Sequence, residues 1–210
     1  MWHVVTDFDG TVTREDVAEV LLQHFAGDAW RAIEREFREE RIGVREAMRR
    51  EFELLGESRE RLLEVVDRTT VLDPEFPGFL DDARAAGVEV EILSEGLEFY
   101  IDHLLRRWGL RLPYRTNRDV WEAGRMRIEH PFADATCTLC GTCKMGRVLQ
   151  LRAAGKTVAY VGDGHSDLCA AFEADRVYAK GVLADLCRRE EIDFVPIEDY
   201  ADLRRAPPWR

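Results

Sequence analysis

The apolar positions of the chain fall into two patterns: short unbroken runs, and longer stretches in which they recur every three or four residues. The short runs are rich in valine and indicate buried strands. They occupy residues 2–6, 88–93, 157–161, 177–179 and 194–197. Helical patterns separate these runs, and strands that alternate with helices predict an α/β fold with a doubly wound, parallel sheet.

A long helical block lies between the first two predicted strands. Within it, apolar side chains such as Trp30, Ile33 and Phe37 form stripes, and no strand pattern interrupts them. We predict three or four helices that pack on one another and form a small all-helical cap, inserted after the first strand. The predicted bounds are residues 14–72 for the cap and residues 1–13 with 73–210 for the α/β core.

The first predicted strand ends at two carboxylates, in the sequence Asp7-Phe8-Asp9-Gly10-Thr11. Ligands of open α/β sheets bind beyond the carboxyl ends of the strands, and residues two apart in extended backbone point the same way. Two anions this close repel each other unless one is protonated or a cation lies between them. Because a sparse site of oxygen ligands suits Mg2+, we predict a Mg2+ site here.

A second acidic pair follows the strand predicted at residues 157–161, in the stretch GDGHSD at residues 162–167. The glycine-containing turn places Asp163 and Asp167 just beyond an apolar strand, where they can supply further oxygen atoms to a hard cation. We expect Asp163 to bind the metal directly, and Asp167 to bind it either directly or through water.

The sequence DFDGT after a strand resembles the nucleophile motif of the haloacid dehalogenase (HAD) superfamily of phosphohydrolases, and GDGHSD resembles that family's last motif. The resemblance implies a Rossmann-like core and a Mg2+-dependent phosphomonoesterase. Asp7 would hold the metal through one oxygen and attack phosphorus with the other, which forms an aspartyl-phosphate. Asp9 would act as general acid for the leaving alcohol and then as base for the attacking water. The family also implies that Asp9 binds the metal through its backbone carbonyl.

Two further motifs of the family would hold the phosphoryl group. Ser94, at the end of the second predicted strand, matches the second motif, in which a hydroxyl and nearby backbone N–H groups bind phosphoryl oxygens. Lys144, at the start of a predicted helix, matches the third motif, a cation that offsets charge on the transferring group. The predicted phosphate-binding residues are Thr11, Ser94, Glu95, Gly96 and Lys144.

The helical insertion between the first and second motifs is similar to that of the phosphoserine phosphatase branch. The run CGTCK at residues 140–144 is similar to a cysteine cluster of the methionine-salvage phosphatases, which act on a methylthiopentenyl enol phosphate. Two positions depart from the phosphoserine pattern: SEG stands at residues 94–96 in place of SGG, and Ser166 stands in place of asparagine. A carboxylate beside a phosphate site is unfavourable unless it points away or contacts a positive group. The enol phosphate and phosphoserine therefore both stay open as substrates.

Three residues of the helical block are candidates for substrate contact. Asp16 falls where phosphoserine phosphatases carry an acidic residue that meets the substrate. Arg49 or Arg50 is a candidate for contacting a substrate carboxylate or the phosphate.

Three cysteines, Cys137, Cys140 and Cys143, lie three positions apart just before the predicted helix of Lys144. The spacing fits a structural Zn2+ site, although three thiols leave one ligand to be found. His130 or Asp134 would complete a tetrahedral site. The alternative is a reduced thiol cluster that shapes the loop.

Composition narrows the partners further. The chain has 210 residues, 46% of them apolar, and a net charge of -11, which disfavours nucleic acid and anionic membranes as partners. It has no long apolar segment and no signal-peptide pattern, so we expect a cytoplasmic protein. We predict a small phosphorylated metabolite as the partner, and a monomer or homodimer.

Three other functions share parts of this pattern. A dehalogenase has no use for an acid two residues after the nucleophile or for a metal. A phosphomutase would yield an isomerised phosphate in place of free phosphate. A signalling receiver that keeps its aspartyl-phosphate carries the phosphoacceptor on a later strand and lacks the helical insertion.

Overall fold

The computed structural model describes residues 1–122 and 124–210, and within them strands and helices alternate along the chain. The strands are β1 (Trp2–Thr6), β2 (Glu89–Leu97), β3 (Tyr114–Glu122), β4 (Arg125–Glu129), β5 (Thr157–Gly162), β6 (Arg176–Ala179) and β7 (Val195–Pro196). The helices are α1 (Val17–Phe25), α2 (Trp30–Arg38), α3 (Val44–Phe52), α4 (Arg59–Thr69), α5 (Phe76–Ala85), α6 (Glu98–Arg107), α7 (Lys144–Ala153), α8 (Leu168–Glu173), α9 (Gly181–Arg189) and α10 (Tyr200–Arg205), with a 3-10 turn at His165–Asp167.

The described strands form a seven-stranded sheet in the order β4-β3-β2-β1-β5-β6-β7. All neighbouring strands are parallel except β3 and β4, which form an antiparallel pair at one edge. In the register of the sheet, Thr6 lies opposite Ile92 of β2 and opposite Val161 of β5. The carboxyl ends of these three strands therefore meet at one edge, and the predicted parallel α/β fold is confirmed.

Consecutive residues of β1 pack on opposite faces of the sheet, as extended backbone requires. Val4 belongs to the apolar cluster that includes Phe79 of α5 and Leu104 of α6. Val5 belongs to a separate cluster with Val148 of α7 and Ala170 of α8. Helices thus cover both faces of the sheet. Because both faces are buried, the sequence of β1 is a nearly unbroken apolar run.

Helices α1 to α4 occupy the segment between β1 and α5. The two chain segments that connect them to the rest of the fold run side by side: Thr13 forms an isolated antiparallel bridge with Leu72, and the N–H of Asp73 donates to the carbonyl of Val12 at 3.0 Å. This pairing lies at the bounds predicted for the cap. Apolar residues of the insertion, such as Phe52, join the same cluster as the sheet residue Val4, so the insertion is packed against the core.

The elements differ from the prediction around Ser94. The apolar run predicts a strand that ends at residue 93, but β2 continues to Leu97 and α6 begins at Glu98. Leu97 pairs with Asn117 of β3 after a register shift, so contacts with a neighbouring strand keep this segment extended. The β3–β4 pair itself is more regular than its polar sequence indicates. In the described residues, no helix is long and apolar enough to cross a membrane.

Candidate active site

Three carboxylates come together at the ends of the two central strands. Asp7 directly follows β1, and its N–H donates to the carbonyl of Val161 at 2.9 Å, which extends the ladder between β1 and β5. Asp163 directly follows β5, and Asp167 lies in the turn after it. Each of the three side chains offers an oxygen atom that lies within 4.8 Å of those of the other two. The structure thus brings together the side chains predicted to bind metal, apart from that of Asp9.

Lys144 reaches this carboxylate cluster from the first position of α7. Its Nζ donates to Oδ1 of Asp7 and to Oδ1 of Asp167, each at 2.6 Å, and the residue is 2% exposed. Burial by itself would lower the pKa of the Lys144 ammonium, but the charges of Asp167 and Asp7 raise that pKa well above its usual value. Lys144 is therefore held in its charged form at the predicted nucleophile.

Asp167 is fully engaged by protein groups. Its Oδ1 also accepts from the hydroxyl of Tyr160 at 2.6 Å, and its Oδ2 accepts from the N–H groups of Asp163 and Gly164 at 3.1 and 3.0 Å. A carboxylate with this many donors is suited to fix Lys144 and the turn after β5. Tyr160, which the sequence analysis did not single out, lies in β5 and gives no signal other than an aromatic residue in a buried strand.

The carboxylate cluster carries more negative charge than Lys144 offsets. Burial raises the pKa of Asp7 well above its usual value, Lys144 opposes that shift, and the charges of Asp167 and Asp163 add to it. Burial, followed by the charge of Asp167, raises the pKa of Asp163 to about 6. Three carboxylates against one ammonium leave an excess of negative charge, and the donors are all oxygen atoms. This donor set fits a hard divalent cation such as Mg2+.

Asp9 lies in a different environment from Asp7, two residues away. Its Oδ2 accepts from the hydroxyls of Tyr100 at 2.9 Å and Ser94 at 3.3 Å, and its Oδ1 accepts from the N–H of Val17 at 3.1 Å. Burial, with a smaller contribution from the charge of Asp16, raises the pKa of Asp9 to about 7. Near neutral pH the Asp9 carboxyl therefore exchanges between its acid and its base form. Tyr100 was missed by the sequence analysis, because a tyrosine in an amphipathic helix is usually part of the core.

The predicted phosphate-binding residues divide into two groups. The hydroxyl of Ser94 accepts from the N–H of Gly96 at 2.8 Å, and both residues line the cavity described below. A Cβ atom on Gly96 would lie 2.6 Å from Oδ2 of Asp9, so this position requires glycine. Thr11, in contrast, donates its hydroxyl to Oδ1 of Asp163 at 2.8 Å. The structure thus places Thr11 on the carboxylate cluster.

The carboxylate of Glu95 accepts hydrogen bonds from several protein donors. Its Oε2 accepts from the N–H groups of Gly141 and Thr142 at 3.0 and 3.2 Å and from Nδ2 of Asn117 at 3.3 Å. A carboxylate and a phosphate repel each other because both are negative, so these contacts add no support for the prediction that the Glu95 side chain binds phosphate. Through these hydrogen bonds Glu95 holds the backbone at Gly141 and Thr142, and Thr142 precedes Lys144 by two residues.

A cavity of about 370 Å3 opens in front of these groups. Asp7, Asp9, Ser94 and Asp163 line it from the core side. The opposite side, here called the helical wall, is formed by Asp16, Ala18, Glu19, Glu34, Phe37, Arg38, Val44, Ala47, Met48, Glu51 and Phe52. The volume of the cavity suits a small metabolite.

The substrate-contact candidates of the helical block are not all at this cavity. Asp16 belongs to the helical wall, where it also caps α1 by accepting from the N–H of Glu19 at 2.8 Å. Arg49 pairs with neighbours on its own helix, Glu46 and Glu53, and Arg50 pairs with Glu36 of α2. Neither arginine is among the residues that line the cavity. Helical spacing turns both of them away from it.

The cysteine segment does not present a formed metal site. In the part of the chain that the structure describes, the Asp7, Asp163 and Asp167 cluster is the set whose ligand atoms approach one another closely enough to share an ion. Each candidate for a fourth ligand has one atom in a hydrogen bond: Nδ1 of His130 pairs with Asn117 at 2.8 Å, and Oδ1 of Asp134 accepts from the N–H of Cys137 at 3.1 Å. The structural Zn2+ site at these cysteines therefore stays a prediction.

Comparison with known proteins places this arrangement in a family. Residues 4–171 match the family model described as haloacid dehalogenase-like hydrolase. The chain is 31% identical over 204 residues to a 2-hydroxy-3-keto-5-methylthiopentenyl-1-phosphate phosphatase of Exiguobacterium sp. strain AT1b, an alignment that covers 96% of this chain and 94% of that one. A protein of the same name from Geobacillus kaustophilus is 31% identical over 202 residues, which cover 94% and 91% of the two chains.

Solved structures show the same fold at lower sequence identity. A phosphoserine phosphatase with an analogue of the phospho-aspartyl intermediate superposes with a TM-score of 0.77 and 18% identity, over 97% of each chain. A phosphoserine phosphohydrolase-like protein from Francisella tularensis superposes with a TM-score of 0.76 and 15% identity, over 99% of this chain and 100% of that one. At these sequence identities, the structural similarity shows a shared fold and nothing further.

Proposed function

This chain belongs to the haloacid dehalogenase-like hydrolase family and is a phosphoric monoester hydrolase, and we propose that it uses Mg2+ and an aspartyl-phosphate on Asp7 to hydrolyse the ester of a small metabolite. The observation that carries the proposal is the cluster of Asp7, Asp163 and Asp167, in which Lys144 binds Asp7 and Asp167 and from which Asp7 and Asp163 line the cavity.

Asp7 and Asp163 would hold the ion, together with the backbone carbonyl of Asp9. When bound, Mg2+ supplies positive charge that stabilises negative charge on the phosphoryl oxygens. The excess of negative charge beside Lys144 favours binding of the Mg2+ ion. Asp167 would contribute mainly by fixing Lys144, because its oxygens already accept four hydrogen bonds from protein donors.

Asp7 would act as the nucleophile. Lys144 fixes Oδ1 of Asp7, and the structure records no hydrogen bond to Oδ2 from the residues it describes. That oxygen can approach phosphorus, with the phosphoryl group held by the hydroxyl of Ser94 and the N–H groups around it. Attack forms the bond from Asp7 to phosphorus while the bond from phosphorus to the ester oxygen breaks.

Asp9 would move the protons in both steps. With a pKa of about 7 it is partly protonated at neutral pH, so it can donate a proton to the departing ester oxygen. The resulting carboxylate can then take a proton from water as that water attacks phosphorus. This second step releases inorganic phosphate and restores both Asp7 and the protonated Asp9.

For the ester itself, we propose the methylthiopentenyl enol phosphate of methionine salvage. The support is the name shared by relatives that match nearly the whole chain, together with the CGTCK run at residues 140–144. Phosphoserine is the alternative, and its support is the likeness in fold.

The first test is release of inorganic phosphate from the enol phosphate, phosphoserine and small sugar phosphates, each with Mg2+ and with EDTA. We expect release that depends on Mg2+ and that falls by at least about a thousandfold in Asp7→Asn, which lacks the nucleophile. Asp185→Asn is the matched control, because that carboxylate is 80% exposed and pairs with Arg188. Equal release by Asp7→Asn and wild type would contradict the mechanism, and absence of release from every ester would contradict the function.

A further inference from the structure

Glu51 is a buried acid on the helical wall whose role the mechanism above does not explain. It lies in α3 between Met48 and Phe52 on the side that faces the cavity, and it is 6% exposed. Among the described residues, its buried Oε1 has no hydrogen-bond partner. Buried polar atoms are nearly always paired, so an unpaired one that lines a cavity points to a ligand.

The surroundings of Glu51 favour its neutral form. Burial raises the pKa of Glu51 to about 8, and the charges of Glu34 on α2 and of Asp16 and Glu19 at the start of α1 act in the same direction. Arg50 opposes them, but its guanidinium is paired with Glu36. At neutral pH the Glu51 side chain is therefore mostly a carboxylic acid, which can donate a hydrogen bond as well as accept one.

The rest of the helical wall is unfavourable for a second anionic group on the substrate. Phe37, Val44 and Met48 give it an apolar surface. Among the described residues of the wall the one cationic side chain is Arg38, and its Nε already donates to Glu34 at 2.6 Å. A substrate carboxylate placed here would face Asp16, Glu19 and Glu34, and the one cationic side chain among the described residues of the wall is already partly neutralised by Glu34.

The proposed phosphatase function places the phosphoryl group at Asp7 and Ser94 and directs the organic part of the ester toward the helical wall. On that basis we propose that Glu51 donates a hydrogen bond to an uncharged carbonyl or hydroxyl oxygen of the substrate. The wall thereby selects phosphate esters that carry no second anionic group. Glu51 is then a specificity-determining residue, and it takes no part in the transfer of the phosphoryl group.

The test compares esters that differ in one group of the organic part. Pentyl phosphate lacks an oxygen that Glu51 could bind, the isomeric oxopentyl phosphates carry a carbonyl at successive carbons, and carboxybutyl phosphate carries a second anion. The values of kcat and KM are measured with Mg2+ for wild type, Glu51→Ala, Glu51→Gln and the control Glu53→Gln, from about pH 6 to 9. Glu53 lies two residues from Glu51, and its carboxylate is 59% exposed and pairs with Arg49.

We expect the kcat/KM of wild type to be about tenfold higher for at least one oxopentyl phosphate than for pentyl phosphate, because one neutral hydrogen bond contributes about that factor. The difference should come from a lower KM. Carboxybutyl phosphate should be the poorest ester. Glu51→Ala should lose the preference and keep its activity on pentyl phosphate. Glu51→Gln should keep the preference, because its amide also donates, and only wild type and Glu53→Gln should lose it as the pH rises through about 8.

Where Glu51→Ala folds, two results would overturn the assignment of Glu51 while leaving the phosphatase function in place. One is an unchanged ester preference in Glu51→Ala. The other is a wild-type preference that grows as the pH rises through about 8, since that would mean that the ionised carboxylate binds the substrate. If Glu51→Ala does not fold, the pH profiles of Glu51→Gln and wild type decide, and identical profiles overturn the proposal. Absence of Mg2+-dependent release from every ester, p-nitrophenyl phosphate included, would contradict the phosphatase function itself.

Discussion

Asp7 and Asp9 show how two identical side chains acquire different chemistry from their partners. Asp7 is 6% exposed and bound to an ammonium group, which directs one of its oxygens. Asp9 is half-buried and is bound by hydroxyl and backbone donors, with a pKa of about 7. A nucleophile needs a fixed oxygen, and a general acid needs a pKa near the working pH. Each environment suits the role proposed for that residue.

At the same scale, Glu95→Gln tests whether this carboxylate positions Lys144. Glutamine has one acceptor oxygen, so its amide N–H2 group would face a backbone N–H of Gly141 or Thr142. We expect the free energy of unfolding to fall by about 1–3 kcal/mol. We also expect kcat to fall about tenfold or more with little change in KM, because a small displacement of a catalytic group is costly.

Denaturant unfolding and steady-state kinetics measure the two effects of Glu95→Gln. Glu98→Gln is the control, since that nearby carboxylate is 42% exposed and its contact with Arg118 is 3.5 Å long. A stability loss without a change in kcat would show that Glu95 holds the loop but does not position Lys144.

At the scale of elements, helix α3 links the helical wall to the cysteine segment. One side of α3 carries Glu51 into the cavity. From its first turn, Arg45 donates to the carbonyls of Cys137 and Cys140, with distances of 3.0 Å to Cys137 and 3.0 and 2.6 Å to Cys140. The same loop then runs to Lys144, so a single segment contacts both the insertion and the catalytic cluster.

We therefore expect Arg45→Ala to loosen the segment at residues 137–142. Its amide hydrogens should exchange at least about tenfold faster than in wild type, because three hydrogen bonds to the loop are lost. Hydrogen exchange measured by mass spectrometry tests this directly. Arg49→Ala is the matched control, since Arg49 pairs with Glu46 and Glu53 on its own helix. Equal exchange in the two variants would contradict a bridging role for Arg45.

At the scale of the whole molecule, folding concentrates negative charge that a bound cation would offset. The chain carries a net charge of -11 and gathers three carboxylates beyond the carboxyl ends of its central strands. Folding brings these groups together, whereas in the unfolded chain they are far apart and hydrated. A divalent cation that binds the folded state should therefore stabilise the protein.

We expect Mg2+ at about a hundredfold excess over its Kd to raise the midpoint of thermal unfolding by about 5–10 °C. Asp163→Asn should lose most of this shift, because it removes one charged ligand. Asp185→Asn, an exposed acid, should keep it. Differential scanning calorimetry with Mg2+ and with EDTA measures the effect. A shift of equal size in Asp163→Asn would place the ion elsewhere on the protein.

The sequence by itself determined the class of the fold and the positions of the acids that follow strands. Unbroken apolar runs between helical patterns are local features of the sequence. The end of each run shows which residues directly follow a strand. Since parallel strands share an edge, Asp7 and Asp163 had to meet once β1 and β5 were neighbours. Lys144 was found through its motif, not through any pattern of burial.

The tertiary structure alone decided which partner each of the other side chains takes. Glu95 binds a loop 46 positions away, Tyr100 binds Asp9 from 91 positions away, and Glu51 lines the cavity that Arg49 and Arg50 do not line. Local periodicity shows that a residue lies on a helix or a strand, but a hydrogen bond or a cavity depends on segments that are distant in sequence. For that reason the chemistry at the strand ends could be predicted from the sequence, and the wall that would select the substrate could not.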